Sequence, residues 1–462
     1  MPTPLPDPSL FKAYDIRGVI TTALTPAAVT RIGAAIGARA AAAGVPTLCV
    51  GRDGRLSGPA LRDALIEGLT SAGVDVVDIG MVPTPLLYFS TVQLGTGSGV
   101  EITGSHNPPE YNGLKMMLGG ATLHGDDIQA LRIAIESGTM VQAAKRGTVS
   151  QADVSGAYLD AVLASVKLAR PMKIAIDAGN GVAGPTAVKL FRALGCEVVE
   201  LFTDIDGTFP NHHPDPAHPE NLQDLIAALR TTDAEIGLAF DGDGDRLGVV
   251  TKGGNIIYPD RQIMLFARDV LANHPGGEII YDVKCTRALA PWIRQHGGVP
   301  TMWRTGHSLI KAKLKETRAP FAGEMSGHLF FNDRWPGFDD GMYAGARLLE
   351  IVSRVADPST LLDALPTAMN TPELQLRTAE GENFALVERL RAGARFEGAS
   401  EIITIDGVRA EWPDGFGLAR ASNTTPVVVL RFEGDDDAAL ARIQAAFRQA
   451  ILAVAPGVQL PF

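Results

Sequence analysis

The stretch Lys173-Ile174-Ala175-Ile176-Asp177 is a short apolar run that ends in a carboxylate. A helical pattern over 186–194 follows it, then Gly195, and then a second apolar run over 196–200. Strand, helix, glycine and strand in this order are the signature of a βαβ unit, in which the two strands lie parallel in one sheet. The stretch therefore predicts an α/β fold.

The same order occurs twice more in the chain. Strand-like runs at 47–51 and 74–78 enclose a helical pattern over 60–72, and runs at 278–282 and 299–302 enclose another over 287–295. Copies at domain-sized spacing predict three similar βαβ-type domains with mixed sheets. One long doubly wound sheet is the alternative. Turn-rich breaks at 138–149 and 252–260 disfavour it.

The last part of the chain departs from this pattern. Two strand-like runs, 401–405 and 426–432, need no helix between them, and Asp435–Asp437 precede a final amphipathic helix. This indicates a smaller C-terminal α+β domain. The predicted domains are 1–150, 151–255, 256–368 and 369–462.

Composition limits the possible partners and location. The 462 residues carry a net charge of −11, which disfavours a general nucleic-acid binder. Three widely spaced cysteines, Cys49, Cys196 and Cys285, indicate a reducing compartment without disulfides. The N-terminus does not look like a signal peptide, and no run of about 18 apolar residues occurs. We expect a cytoplasmic protein that does not bind a membrane.

Each predicted α/β domain has a further strand that ends in a polar loop. Ser105 follows the run 99–103, Asp241 follows 234–240, and Glu324 comes shortly after 320–322. Ligands of open parallel sheets bind outside the carboxyl ends of the strands. We therefore expect these three loops to face one cleft.

Asp241, Asp243 and Asp245 alternate with glycines between two apolar runs. Three carboxylates this close repel one another unless a cation lies among them, and a hard cation such as Mg²⁺ prefers oxygen ligands. A solvated turn is one alternative, and an EF-hand is another. The EF-hand fails because Arg246 and Lys252 stand where that motif needs glycine and glutamate.

Other polar residues are candidates for binding or proton transfer. Four residues near the C-terminus suit a phosphate dianion, although an ordinary polar turn has the same composition: Arg420, Ser422, Asn423 and Thr424. Glu324 and Ser326 offer an acceptor and a hydroxyl suited to sugar hydroxyls. Lys115 and Lys284 could balance phosphate charge, or they could be ordinary solvated lysines. His307 and His328 could transfer protons, although a lone histidine is more often structural.

Five motifs together resemble those of the α-D-phosphohexomutase family, most closely its bacterial phosphomannomutase/phosphoglucomutase branch. They lie at 14–18, 103–108, 241–246, 323–328 and 420–424. They occur in the family's order, extend over the whole chain and show no departure at the motif positions. Any one of them alone would be unspecific.

The resemblance implies four domains around a central cleft and a reversible interconversion of hexose 6-phosphate and hexose 1-phosphate, for mannose and glucose. Ser105 is then a phosphoserine that holds Mg²⁺ together with the three aspartates. A hexose 1,6-bisphosphate is the intermediate and activator, and the protein is a monomer. Substrate-binding positions implied by the resemblance are Tyr14, Arg17, Arg246, Lys284, His307, Glu324, Ser326, Arg420, Ser422, Asn423 and Thr424.

The transferred hydroxyl must lose a proton, so the reaction needs a general base. Lys115, ten residues after Ser105, is one candidate, and His106 and His328 are the others. We also expect a hinge near 366–372 that allows the last domain to close on the substrate.

Three rival functions differ in what they require. A metal-dependent phosphatase would let water reach the phosphoserine. A serine acyl hydrolase is disfavoured because Thr103 and Asn107 stand where a G-x-S-x-G turn needs glycines. A non-catalytic sugar-phosphate sensor has no need of Ser105 and all three aspartates.

Overall fold

The computed structural model describes residues 5–140, 143–379, 381–423 and 425–462. The chain divides into two compact units. The first comprises residues up to Pro259 with 311–321 and 326–364, and the second comprises 260–310, 322–325 and 365–462.

The first α/β region forms a seven-stranded sheet in the order β1-β5-β4-β2-β3-β7, with β6 paired to β5. Its elements are β1 (Ile16–Val19), α1 (Pro26–Ala42), β2 (Thr47–Arg52), α2 (Gly58–Ser71), β3 (Asp75–Met81), α3 (Thr84–Gln93), β4 (Gly99–Ile102), β5 (Tyr111–Leu118), β6 (Ala121–Thr122), α4 (Asp126–Ser137) and β7 (Val149–Gln151). Strands β2, β3, β4 and β7 are parallel. Strand β5 runs antiparallel to both β1 and β4, so the sheet is mixed, as predicted.

Helix α1 shows why the sequence folds this way locally. The Thr25 side chain accepts a hydrogen bond from the backbone N–H of Ala28, and Pro26 occupies the first turn, where no N–H is needed. Val29, Ile32 and Ile36 recur at helical spacing and are buried in the first hydrophobic core.

The second α/β region forms a four-stranded sheet in the order β11-β10-β8-β9. Its elements are α5 (Ser155–Ser165), β8 (Lys173–Asp177), α6 (Gly184–Ala193), β9 (Glu197–Leu201), α7 (Gln223–Thr231), β10 (Ile236–Phe240) and β11 (Leu247–Thr251). Strands β8, β9 and β10 are parallel, and the opening stretch of the sequence is β8 itself. Strand β11 returns antiparallel to β10, and the aspartate loop joins the two.

The third region follows the same order of elements. They are α8 (Pro259–Asn273), β12 (Glu278–Asp282), α9 (Leu289–Gln295), β13 (Val299–Trp303), α10 (His307–Thr317), β14 (Phe321–Gly323), β15 (Leu329–Phe331), α11 (Gly341–Val352) and α12 (Pro358–Asp363). Strands β12 and β13 pair in parallel, as the βαβ pattern predicts.

The C-terminal region forms an antiparallel sheet in the order β16-β21-β20-β19-β18, with β17 also paired to β21. Its elements are β16 (Met369–Asn370), β17 (Leu374–Arg377), α13 (Glu382–Gly393), β18 (Glu401–Ile403), β19 (Val408–Trp412), β20 (Gly415–Ala421), β21 (Val427–Gly434) and α14 (Asp437–Val454). The Asp436 carboxylate caps α14, whose Ile443, Phe447 and Ile451 are buried. No helix separates β18 from β21, as expected, but two further strands do.

None of the helices in the described part of the chain has the length and apolar character needed to cross a membrane.

Candidate active site

Ser105 lies in the loop that joins β4 to β5. Its φ of 49° falls in the left-handed region, which a serine adopts only when its surroundings enforce it. Its backbone N–H donates to Thr103 Oγ1 at 2.8 Å, and its hydroxyl donates to Asp241 Oδ2 at 3.2 Å. His106 Nδ1 lies 3.2 Å from the same hydroxyl. The serine is therefore buried and its side chain is aimed at the aspartate loop.

The aspartate loop joins β10 to β11. The carboxylates of Asp241, Asp243 and Asp245 are fully buried, and each contributes an oxygen to a set in which all atoms lie within 4.8 Å of one another. Gly242 allows the close approach of the serine loop, because a side chain there would run into the carbonyl oxygen of Ser105. The two loops thus touch through a glycine.

Lys115, on β5, supplies a positive charge to this cluster. Its Nζ donates to Asp243 Oδ2 at 2.6 Å and also to Asp245. Burial lowers the pKa of Lys115, but the aspartates outweigh burial and raise it overall. The group is therefore an ammonium in this arrangement.

The three carboxylates of the cluster have different surroundings. Burial and the neighbouring carboxylates raise the pKa of Asp241 well above its usual range. Burial has the same tendency at Asp245, but Lys115 and His328 hold the pKa of that carboxyl well below its usual range. Asp243 Oδ1 is buried and accepts no hydrogen bond from any described residue. Three clustered carboxylate oxygens, one of them from a carboxylate with an unbonded oxygen among the described residues, fit a hard divalent cation such as Mg²⁺.

Arg246 and His328 adjoin the same loop. Arg246 Nε lies 3.3 Å from His328 Nε2, and its guanidinium lies 3.8 Å from carboxylates of Asp215 and Asp241. Burial lowers the pKa of Arg246, and these carboxylates raise it overall. His328 Nδ1 lies 2.9 Å from Ser326 Oγ, which brings one residue of the predicted sugar loop to this site.

Arg17, on β1, reaches the serine loop from another side. Its guanidinium donates to Asn107 Oδ1 and to Asp15 Oδ2, both at 2.5 Å. Tyr14 precedes β1 and is partly buried. Burial, with Arg246 and Arg17 nearby, lowers the pKa of His106 well below its usual value, so its imidazole is neutral. A neutral imidazole beside the serine hydroxyl is able to accept a proton.

The remaining predicted residues belong to the second unit. Glu324 Oε1 accepts a hydrogen bond from the N–H of Gly306 at 2.5 Å, and His307 begins α10 directly after that glycine. Lys284 Nζ donates to Glu373 at 2.6 Å. Burial lowers the pKa of Lys284, and its acidic neighbours raise it overall. The ammonium of Lys284 is therefore retained.

The phosphate-binding candidates lie at the end of β20 and directly after it. Arg420 Nε donates to Asp406 Oδ2 at 3.0 Å, which fixes the side chain from one edge. Ser422 Oγ lies 3.0 Å from Thr425 Oγ1, and Asn423 comes next in the chain. Thr424 lies outside the described residues.

The structure shows further polar residues that the sequence analysis did not select. Thr84, the first residue of α3, donates its hydroxyl to Asp243 Oδ2 at 2.5 Å and its N–H to the Asp243 carbonyl at 2.9 Å. Asp53 and Arg55 directly follow β2 and contact the serine loop. Asp53 and Arg55 have a recognisable sequence signal, because polar residues directly after a buried parallel strand lie at the edge of the sheet where ligands bind.

Four family models match the chain in order. They are Phosphoglucomutase/phosphomannomutase, alpha/beta/alpha domain I at residues 8–142, domain II at 156–254, domain III at 258–369, and the C-terminal domain at 350–450. Together they extend over most of the sequence. The chain belongs to the phosphoglucomutase/phosphomannomutase family.

Individual proteins show the same relationship. A phosphoglucomutase from Neisseria gonorrhoeae is 61% identical over 443 residues, 96% of each chain. A phosphomannomutase/phosphoglucomutase from Pseudomonas aeruginosa is 52% identical over 455 residues, 98% of each chain. The crystal structure of a phosphoglucomutase/phosphomannomutase family protein from Burkholderia thailandensis matches with a TM-score of 0.94 and 62% identity, covering 99% of this chain and all of that one.

These similarities confirm the family and the fold class predicted from the sequence, three α/β domains followed by a smaller C-terminal α+β domain. They also confirm the enzyme class that the five motifs imply.

Proposed function

We propose that this chain interconverts hexose 6-phosphates and hexose 1-phosphates, of mannose and glucose, with Ser105 as the phosphate carrier. One observation carries the proposal. The buried hydroxyl of Ser105 donates to Asp241, the first residue of the buried tri-aspartate loop. Full-length relatives named phosphomannomutase/phosphoglucomutase support the choice of substrates.

The reaction consists of two phosphoryl transfers at one serine. In the first, the free hydroxyl of the bound hexose phosphate attacks the phosphorus of phosphoserine 105, and the bond between phosphorus and Ser105 Oγ breaks. The hydroxyl proton passes to a base, and a hexose 1,6-bisphosphate results. In the second, Ser105 Oγ loses its proton and attacks the phosphorus of the other phosphate, and the bond between that phosphorus and the sugar oxygen breaks. The sugar oxygen takes up a proton, which gives the isomeric monophosphate. Such transfers depend on positioning and charge neutralisation more than on covalent chemistry.

Asp241, Asp243 and Asp245, with an oxygen on the Ser105 side chain, are the residues that would hold Mg²⁺. When bound, the ion would neutralise part of the negative charge on the phosphoryl oxygens. Asp243 Oδ1, which is buried and accepts no hydrogen bond from any described residue, supports this assignment. Lys115 and Arg246 add positive charge from the protein itself.

For the proton transfer, the chain offers three candidates with different surroundings. His106 is neutral and adjoins Ser105 Oγ, which suits a base. His328 lies between Ser326 and Arg246 and is the second candidate. Lys115 donates to two carboxylates, which favours a role in charge neutralisation over one as the base.

We assign substrate recognition to two groups of residues. Glu324 and Ser326 accept and donate hydrogen bonds to sugar hydroxyls, while Arg420, Ser422, Asn423 and Thr424 bind the phosphate that is not being transferred. The anchoring of Arg420 by Asp406 supports this role, because it presents a guanidinium in a fixed orientation. Further contacts are assigned to Tyr14, Arg17, Arg246, Lys284 and His307.

The test is incubation of the protein and Mg²⁺ with glucose 1-phosphate or mannose 1-phosphate, primed with a trace of glucose 1,6-bisphosphate. We expect the corresponding 6-phosphates. Release of free phosphate without the 6-phosphate would support the phosphatase rival instead. Intact mass should show an added phosphate of about 80 Da on Ser105. Chelation of the metal should abolish turnover and leave that phosphate in place.

Several expectations from the sequence stay predictions. They are the domain boundaries, the central cleft, the hinge near 366–372, activation by the bisphosphate, the monomeric state and the cytoplasmic location.

A further inference from the structure

Arg55 donates hydrogen bonds to main-chain carbonyls of the serine loop, which comprises residues 103–110 between β4 and β5. Its Nη2 donates to the carbonyls of Ser105 at 2.8 Å and Asn107 at 2.6 Å. Its Nη1 donates to those of Pro108 at 2.6 Å and Tyr111 at 3.0 Å. Arg55 is only 1% exposed, so these bonds are shielded from water. One guanidinium thus bonds three carbonyls of a loop that belongs to no strand and the carbonyl of the first residue of β5.

Asp53 completes the arrangement from the N-terminal side of Ser105. Its Oδ2 accepts from Arg55 Nε at 3.1 Å, from Thr103 Oγ1 at 2.8 Å and from the Gly104 N–H at 3.2 Å. Thr103 Oγ1 in turn accepts the N–H of Ser105. The N–H of Ser105 is therefore fixed through Thr103 and its carbonyl directly by Arg55. This network accounts for the left-handed conformation of a non-glycine residue.

The second α/β region covers the guanidinium. The ring of Phe209 lies 5.0 Å from the guanidinium carbon of Arg55, within the range of a cation–π contact. A side-chain carbon added at Gly104 would lie 2.5 Å from that guanidinium carbon, and one at Gly207 would lie 2.6 Å from the Arg55 Cα. Both glycines are needed because the loops approach Arg55 so closely.

We propose that Arg55 is a positioning residue for phosphoryl transfer, which holds the Ser105 main chain so that Oγ stays aligned with Asp241. It acts without touching the substrate. Lysine cannot replace it, because one ammonium cannot bond carbonyls in two directions with the fixed geometry of a guanidinium. The inference rests on the proposed function, since alignment matters only if Ser105 transfers phosphate.

The decisive variant is Arg55→Lys, and the matched control is Arg347→Lys. Arg347 is a buried arginine of α11 whose guanidinium bonds the Asp333 carboxylate in the same compact unit. We expect Arg55→Lys to lower kcat about 100-fold, the loss associated with a misplaced reactive group, while KM changes less than about threefold. Arg347→Lys should lower thermal stability but leave kcat near that of the wild type.

Hydrogen exchange provides a readout that does not depend on activity. Amides of 103–111 should exchange faster in Arg55→Lys and not in Arg347→Lys. Phe209→Leu is a milder variant that carries the same test if Arg55→Lys does not fold, with faster exchange at 103–111 and a smaller loss of kcat. Unchanged loop exchange, or equal loss of kcat in both arginine variants, would overturn the inference. An inactive wild type with faster loop exchange in Arg55→Lys would instead overturn the proposed function alone.

Discussion

Lys115 Nζ donates to Asp243 at 2.6 Å inside a cluster of buried carboxylates, although the two residues stand on different α/β regions of the sequence. A divalent cation bound among these carboxylates would compensate the same negative charge as the ammonium. The stability of the protein should therefore depend on both Lys115 and a bound metal ion, which is the first prediction.

Lys115→Met should destabilise the protein by about 3–5 kcal/mol without metal, because it leaves buried carboxylates uncompensated. Mg²⁺ should then raise the thermal unfolding midpoint more in the variant than in the wild type, since binding to the native state adds stability. Thermal unfolding with EDTA and with Mg²⁺ measures both effects. Lys189→Met, at an exposed position on α6, is the control. Equal Mg²⁺ shifts in all three proteins would contradict the prediction.

Ser105→Ala should lose mutase activity by at least about a thousandfold, as expected when a covalent nucleophile is removed. The phosphate visible by intact mass should disappear, while thermal stability stays close to that of the wild type. Ser137→Ala, an exposed serine at the end of α4, should retain both activity and phosphate. A fully active Ser105→Ala would exclude the phosphoserine mechanism.

Gly242→Ala tests the contact between the serine and aspartate loops. A side-chain carbon at 242 would collide with the Ser105 carbonyl, so the loops must separate. We expect kcat to fall about 100-fold, because small displacements of reacting groups have effects of that size. Gly253→Ala is the control, since the nearest described atom to its added carbon is 3.8 Å away. Steady-state kinetics of the two variants would show no difference if the contact is irrelevant.

His212 and Asp177 predict a pH dependence of stability. His212 Nε2 lies 3.0 Å from both carboxylate oxygens of Asp177. Burial lowers the pKa of His212, but the bond and charge of Asp177 raise it overall. Because the folded pKa exceeds the unfolded one, the ion pair contributes fully below about pH 6.5 and is lost as the pH rises through the folded pKa.

His212→Gln should therefore cost about 1 kcal/mol or more of unfolding free energy near pH 5 and less at pH 8. Urea unfolding at several pH values measures the difference. His274→Gln, at an exposed position, should show no such trend. A larger cost at pH 8 than at pH 5 would reverse the assigned sign.

The paired strands of each βαβ unit were predictable because their signal is local. Lys173–Asp177 and Glu278–Asp282 were placed at the bounds that the structure shows, since apolar runs flanked by helices and glycines need no distant information. The aspartate cap of α14 was predictable for the same reason, although Asp437, expected before the helix, is its first residue.

The strands that the sequence did not indicate depend on distant neighbours. Tyr111–Leu118 is a strand because β1 and β4 enclose it, and its polar Asn112 and Lys115 obscure the apolar pattern. Val408–Trp412 carries Arg409 and Glu411 within a buried strand for the same kind of reason. Their stabilisation comes from pairing that no local pattern records.

The sequence by itself determined the family, the chemistry of the loops and the presence of three closely spaced carboxylates that suit a cation. Those conclusions depend on residue types at short spacing, which the chain carries in linear order. Only the tertiary structure decided that Lys115 compensates Asp243 and that Arg55 holds the carbonyl of Ser105. Every residue carries a main-chain carbonyl, so a side chain that bonds to such carbonyls does not require particular residue types as partners. The partners of Arg55 therefore cannot be identified from the sequence.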